Sequence, residues 1–218
     1  MPAQLFTAQL VTDERPYHRM VRPQQSRSPK PLPEAVRSGN DLRRPYFEYA
    51  LQLLATEGYG GLKLAPLCKR AGVTTGAFYY SFGSWKDFTR QLLEYWHAER
   101  TTRLVEAASA QSDPVERLEL LLTAVQELPH RAEASIRAWS SADPEAAHVQ
   151  RAVDHDRFEV AEQAFRHILA DAPLARHYAR AGVALLIGFE YDEDGLNSGD
   201  LAWSLRLLLD SARNHAGR

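Results

Sequence analysis

Apolar residues spaced i, i+3, i+4 and i+7 recur through most of this chain, and no segment alternates convincingly with period two. That spacing puts the apolar side chains on one face of a helix. Phe47, Ala50, Leu51 and Leu54 mark a first helix that should stop at Gly58, with Gly60-Gly61 loosening the link. Leu64, Leu67, Cys68 and Ala71 mark a second, with Pro66 in its first turn, where a missing N–H costs little. Val73, Phe78 and Phe82 carry the apolar face across a turn, so three short helices share one small core. A long fourth helix starts after Gly83-Ser84, holds its period through Phe88, Leu92, Tyr95 and Trp96, and extends with Leu104 and Val105 to about Ala110. One rigid element, at about 1.5 Å per residue, would then join the front of the chain to its body.

Helix starts in the body are announced by a break or an N-cap next to proline. Asp113-Pro114 opens a helix with Val115, Leu118, Leu121, Leu122 and Val125 that is interrupted near Pro129. A segment from Ala132 to Ser140 carries Ile136 and Trp139. Asp143-Pro144 opens a long helix with Val149, Val153, Phe158, Ala161, Phe165 and Ile168. Ala172-Pro173 precedes one with Tyr178, Val183, Leu186, Ile187 and Phe189. The acidic loop Asp192-Glu193-Asp194-Gly195 separates it from a last helix, Asp200 to about Ala212. The expected fold class is therefore all-α.

The stretch Ala71-Gly72-Val73-Thr74 is the most specific local signal. Gly72 follows a helical pattern where a C-terminus wants a residue that tolerates φ > 0. Val73 can plug the corner, and the Thr74 hydroxyl can accept a backbone N–H of the next helix. Two helices joined by a short glycine turn make a helix-turn-helix, whose second helix can enter a DNA major groove. Thr75, Gly76 and Ala77 are small enough to bring that backbone close to base edges, and Tyr79, Tyr80 and Ser81 carry hydroxyls.

Charge sharpens this picture once it is divided. The formal net charge is only −2, yet residues 1–90 hold 13 Lys and Arg against 7 Asp and Glu, and the remaining 128 hold 13 against 21. A basic front on an acidic body suits a protein that presents one end to phosphate. Residues 1–40 have no period, contain Pro2, Pro16, Pro23, Pro29, Pro31 and Pro33, and read as a disordered basic arm. Arg15, Arg19, Arg22, Arg27, Lys30 and Arg37 could follow a phosphate backbone or reach a minor groove. The alternative is a plain tail, or a start placed too early with Met20 as the true one. No apolar run approaches a membrane span and no secretory signal pattern is visible, so membranes are not an expected partner. The single cysteine, Cys68, excludes an internal disulfide and fits a cytoplasmic setting; on the apolar face it reads as a packed thiol.

Across about Leu42 to Leu93 the text Phe47-x2-Ala50-Leu51-x2-Leu54, Glu57-Gly58-Tyr59, Leu67-Cys68-x2-Ala71-Gly72-Val73-Thr74-x-Gly76-x-Phe78-Tyr79-x2-Phe82-x-Ser84 resembles the tetracycline-repressor (TetR) family of bacterial transcriptional regulators. The resemblance implies that Thr75 and Gly76 read base edges and that Tyr79, Tyr80 and Ser81 touch bases or phosphates. Threonine offers a base a hydroxyl and thymine a methyl, and tyrosine hydroxyls reach phosphate oxygens. Two positions depart from the family. Leu62-Lys63-Leu64 stands where a threonine usually opens the second helix, so Lys63 is expected on phosphate. Ser84-Trp85-Lys86 replaces the usual Ser-Lys, so either Lys86 supplies the lysine's phosphate contact from the following position or the contact is missing. The expected DNA-facing set is Lys63, Thr74, Thr75, Gly76, Tyr79, Tyr80, Ser81 and Lys86.

For the body, the resemblance implies dimerisation through the last two helices and a pocket for a small-molecule effector. The last helix, with Leu201, Trp203, Leu205, Leu207, Leu208 and Leu209, is more apolar than one buried stripe needs. Aromatic candidates for the pocket are Trp96, Trp139, Phe165, Phe189 and Tyr191, with Arg137 near Trp139 able to pair an anion. His148 and His155 lie seven apart beside Asp154 and Asp156, a spacing that permits a metal but is the commoner pattern of a solvated face. There is no phosphate-binding glycine loop, activated nucleophile or cysteine cluster, so neither cofactor, metal nor catalysis is expected.

The resulting expectation divides the chain in three: a basic arm over 1–40, a helix-turn-helix DNA-binding domain over 41–90, and a helical effector-binding and dimerisation domain over 91–218. The function expected is that of a cytoplasmic homodimeric repressor that binds palindromic operator DNA and releases it when an effector binds. Two other readings stay open. One is a helical DNA-binding protein without a small-molecule effector. The other is a helical enzyme or binding module whose helix-turn-helix is incidental.

Overall fold

Helix α1 (Arg44–Gly61) opens with Pro45 in its first turn, and no side chain caps it. It buries Tyr46, Phe47, Ala50, Leu51, Leu53 and Leu54. The expected stop at Gly58 is present as a break in helical geometry (φ 69°, ψ −175°), after which the chain coils on for one more turn. A positive φ of this kind is nearly free for glycine and strained for any residue with a Cβ. The computed structural model describes residues 42–192, 194 and 199–216. The basic arm over 1–40, Asp41, and Glu193 and Gly195 of the acidic loop lie outside the described residues.

The short helices α2 (Leu64–Ala71) and α3 (Thr75–Phe82) are joined by Gly72 at φ 68°, whose N–H returns to the carbonyls of Cys68 and Lys69. Thr74 then caps α3 by accepting from the Ala77 N–H at 3.2 Å. Helix α4 (Trp85–His97) is capped in the same way by Ser84, which accepts from the Asp87 N–H at 3.0 Å. Such caps decide where short helices begin, each contributing about 1 kcal/mol. Some aromatic rings of this head meet edge-on, as Tyr46 and Phe82 do with centroids 5.2 Å apart at 89° and Phe82 and Phe88 at 4.9 Å and 76°, while Phe47 stacks on Phe88 and Tyr95. Cys68 is buried in the same core, and burial pushes its thiol pKa up.

A π-helical turn at Ala98–Thr102 connects α4 to α5 (Arg103–Ala110), so one nearly continuous helical rod leaves the head as expected. There follow α6 (Pro114–Gln126), α7 (His130–Ser140), α8 (Pro144–Leu169), α9 (Ala172–Glu190) and α10 (Asp200–Ala216). Asp113, Asp143 and Asp171 cap α6, α8 and α9 through their carboxylates, each just ahead of a proline in the first turn. The described residues form an all-helical fold without a strand.

Two hydrophobic cores run through the molecule. The first joins α1 to α4 with Ala132, Ile136 and Trp139 of α7 and Ala146 and Val153 of α8. The second is built from α5, α6, the later half of α8, α9 and α10, around Leu118, Val160, Phe165, Leu186 and Leu209. Helix α8 serves both, and α1 packs closely along α7, where Ser135 donates to the Leu54 carbonyl at 2.7 Å.

Candidate nucleic-acid interface and internal cavity

Helix α3 buries only Phe78 and Phe82 and turns the rest of its surface outward. Burying one phenylalanine stabilises by roughly 1.5–3 kcal/mol, enough to seat an eight-residue helix that would not form alone. Thr75, Gly76 and Ala77 are exposed at its N-terminal end, and Tyr80 is 95% exposed. Tyr79 is half out, its ring edge-on to Phe78 at 5.5 Å. A Cβ at Gly76 would meet nothing closer than the Thr74 hydroxyl at 3.8 Å, so the space over this exposed backbone is open.

Two hydroxyls of the expected set are already engaged. Thr74 spends its oxygen on the cap, and Ser81 donates to the Ala77 carbonyl at 3.1 Å. Lys63 sits at the N-cap position of α2 with no side-chain cap bond, and it and Lys86, in the first turn of α4, are exposed. Trp85 instead turns inward, against Phe78 at 5.8 Å and Phe88 at 5.1 Å, which leaves Lys86 as the neighbouring cation at the surface. Lys69 and Arg70 close the last turn of α2 on the solvent side.

The second core holds an apolar cavity of about 90 Å³ between α5, α6, α8, α9 and α10. Leu121, Leu122, Val160, Phe165, Leu186 and Leu208 contribute much of its wall, and Arg157 is its one charged residue. Of the aromatic candidates, Phe165 lines this space. Trp96 and Trp139 are buried in the first core instead, Trp139 stacked on Tyr59 at 5.2 Å. Phe189 packs against the second core without being part of the cavity wall, and Tyr191 is exposed. A polar recess between α1 and α4 is larger, about 480 Å³, but its groups pair with one another, as Arg43 does with Gln91 at 2.8 Å.

Behind the cavity lies a buried charge cluster. Arg157 donates through Nη2 to Glu133 at 2.9 Å, and the other Glu133 oxygen accepts from Trp96 Nε1 at 2.7 Å. Arg137 binds Asp154 through both Nη atoms at 2.8 and 3.0 Å and Glu190 through Nε at 3.0 Å. Burial pushes the Glu190 carboxyl up to about 7, against the pull of Arg137 and Arg157 and with the help of Glu133. Burial likewise lowers the pKa of His130, which borders Glu133 and Arg157.

Arg137 thus has its donors committed to acids of its own chain. Asp154 and Asp156 are also spoken for, by Arg137 and by His97 at 2.7 Å, and among the described residues no three metal-ligating side chains converge. The pattern alone did not single out Glu133, Arg157 and Glu190. Their signal was in the register: Arg157 falls in the apolar stripe of Val153, Val160 and Ala164, and Glu190 in that of Ala179 and Leu186. A charge placed in an apolar stripe is buried, and buried charges need partners.

Residues 47–91 match the family model described as bacterial regulatory proteins, tetR family. Solved structures with the same fold include a protein of Saccharomonospora viridis named as a transcriptional regulator, in complex with choline. It is 17% identical, with 79% of this chain and 97% of that one covered and a TM-score of 0.66. A TetR transcription regulator of Haloarcula marismortui is 18% identical over 82% of this chain and 98% of its own, with a TM-score of 0.61. The transcriptional regulator FadR of Bacillus subtilis, in complex with stearoyl-CoA, is 15% identical over 79% and 98%, with a TM-score of 0.59. No curated protein matches the sequence.

Proposed function

We propose that this chain, a tetR-family regulator by its N-terminal domain, binds operator DNA as a homodimer and is released from it by a small molecule. The observation that carries the reading is α3: a capped helix held by two phenylalanines, with Thr75, Gly76, Tyr79 and Tyr80 turned outward, and with Lys63 and Lys86 exposed on the neighbouring segments. Lysines and tyrosine hydroxyls on phosphate fix the register, and the small N-terminal end of the helix meets base edges in the major groove. Lys63, Thr75, Gly76, Tyr79, Tyr80 and Lys86 are the contacts proposed. Thr74 and Ser81 also shape α3 through bonds to its own backbone, and the Thr74 O–H, which the cap does not use, stays free to donate to a phosphate.

A second copy supplies what one head lacks. Two heads about 34 Å apart grip successive major grooves on one face of a palindromic site. The surface favoured for pairing is the outer side of α9 and α10, where Trp203 is 66% and Leu207 54% exposed while Leu201, Leu205 and Leu209 face their own core. The apolar cavity supports the effector side of the reading, as do the choline and stearoyl-CoA complexes of proteins sharing the fold. At about 90 Å³ it is far smaller than the ~300 Å³ or more of a usual ligand pocket. Ligand entry therefore parts helices, and a state with parted helices can hold its heads at a different spacing.

The test is binding to a labelled duplex from DNA flanking the coding sequence, against a scrambled duplex, over a salt series. Specific binding that is lost in a folded Thr75→Ala/Tyr79→Ala variant supports the regulator reading, and the salt slope counts phosphates neutralised. A folded dimer that binds no DNA at low salt would refute it.

A further inference from the structure

Arg157 is the odd residue of the cavity. It is 7% exposed, it stands in a wall otherwise apolar, and its donors are only partly used. Nη2 reaches Glu133, but Nη1 is 3.9 Å from Glu190 Oε1, an ion pair beyond hydrogen-bonding distance, and neither Nε, Nη1 nor that Glu190 oxygen has a hydrogen-bond partner. A guanidinium has five N–H groups, and each buried donor left unmet is destabilising. The acids of the cluster do not belong to the cavity wall, and the two unused Arg157 donors lie closed just behind it, so a guest that parts the helices meets apolar surface and then a donor.

We propose that the cavity takes a ligand with an apolar body and one hydrogen-bond-accepting oxygen head, a carboxylate or a carbonyl, seated on the unused donors of Arg157. The proposal rests on the reading of this chain as a ligand-responsive regulator and names the class of ligand. The body fills the space walled by Leu121, Leu122, Val160 and Phe165, and the head completes the shell of Arg157. An ammonium head brings donors to a donor and is rejected, since one buried N–H group cannot satisfy another.

Charge separates the two permitted heads. Arg137 and Arg157 face Glu133, Glu190 and Asp154, with His130 alongside, so the cluster is already acidic by one when all five are ionised. A carboxylate adds a second negative charge and favours proton uptake, for which Glu190 is placed. A ketone adds none and binds without a proton.

Pentanoate, 2-pentanone and pentylammonium, each with five carbon atoms and a different head, are the probes, titrated into the full chain without DNA by ligand-observed NMR. Both oxygen-headed probes are expected to bind at least tenfold more tightly than pentylammonium. Pentanoate alone should weaken as pH rises from 6.5 to 8.5. Ala161→Phe, which fills the cavity, should abolish binding of all three. Arg157→Lys keeps a cation beside Glu133 and should reduce the preference for oxygen heads to less than threefold. Arg157→Met/Glu133→Gln, which removes both ends of the buried pair, should do the same if the lysine variant fails to fold. Equal binding of pentylammonium, no binding of either oxygen-headed probe, or an unchanged preference in the Arg157 variants overturns the proposal. Because DNA is absent, these outcomes stand apart from the operator test: a chain that binds pentanoate and ignores DNA would keep the pocket and lose the regulator.

Discussion

Trp96 Nε1 donates to Glu133 Oε1 at 2.7 Å with both side chains closed to solvent. Trp96 lies on α4, the helix that follows directly from α3, and Glu133 lies on α7. The other Glu133 oxygen holds Arg157, which lines the cavity. Three residues therefore connect the cavity to the helix that carries the head. Rigid elements joined by buried polar bonds have few alternative arrangements, which suits transmission between two states.

Trp96→Phe keeps an aromatic ring and removes the donor, so Glu133 Oε1 is left buried without its bond. The expected cost is about 1–3 kcal/mol in stability, read from denaturant midpoints. If the pair also carries the signal, the variant binds operator within about threefold of the parent, but ligand shifts its affinity less than the roughly 5–150-fold usual for such coupling. Fluorescence anisotropy with and without ligand measures this. An unchanged ligand effect would leave the pair with a purely structural role.

Glu190 sets a pH dependence. Its folded pKa, about 7, is raised above the ordinary carboxylate value of 4.5, chiefly by burial. The stability it contributes is fully present below 4.5 and is lost as pH rises through 7. His130 works the other way: its folded pKa is lowered, so its contribution is present above 6.5 and lost below. Between about pH 6.5 and 8.5 the Glu190 share falls by roughly 1 kcal/mol. Glu190→Gln mimics the protonated form and should remove that fall, while His130 acts equally on both proteins. Urea midpoints across this range test it, and parallel curves for the two proteins would contradict the assignment.

Helix positions were legible because their signals are local. Asp113 and Asp143 beside prolines, Ala172-Pro173, and Gly72 before Thr74 mark starts and stops that are fixed by bonds within four residues. The buried charges were not, because their meaning is tertiary: Glu133 and Arg157 are 24 residues apart and find each other only when α7 crosses α8. Trp96 and Trp139 show the same limit. Periodicity says that a tryptophan is buried, and only packing decides whether it faces a cavity or fills a core.

Gly72→Ala isolates the turn. The residue has φ 68°, and nothing lies within 4 Å of where a Cβ would be. The cost is then backbone strain alone, about 1–2 kcal/mol. Stability should drop by that amount, and because the strain falls at the joint between α2 and α3, operator affinity should fall more than the lost folded fraction explains. A calorimetric melt beside a binding isotherm separates the two. A loss of stability with full affinity in the folded fraction would mean that α3 keeps its angle without the glycine.

Trp203 and Leu207 lie four residues apart on the outer face of α10, while Leu201, Leu205, Leu209 and Ala212 occupy its inner face. A charge at Leu207 therefore spares the chain's own core. In a two-fold interface each change counts twice, so Leu207→Glu sets two carboxylates into the contact and removes two leucines, each contributing roughly 1.5–3 kcal/mol when buried. Sedimentation velocity at micromolar concentration should find the parent dimeric and Leu207→Glu monomeric, with the helical circular dichroism unchanged. Operator affinity should fall at least a hundredfold, because one head reads only a half-site, whereas weak non-specific binding to phosphate should persist. A variant that stays dimeric moves the interface off this face. A variant that becomes monomeric and still binds the full site as tightly as the parent would show that pairing is not how this chain reads DNA.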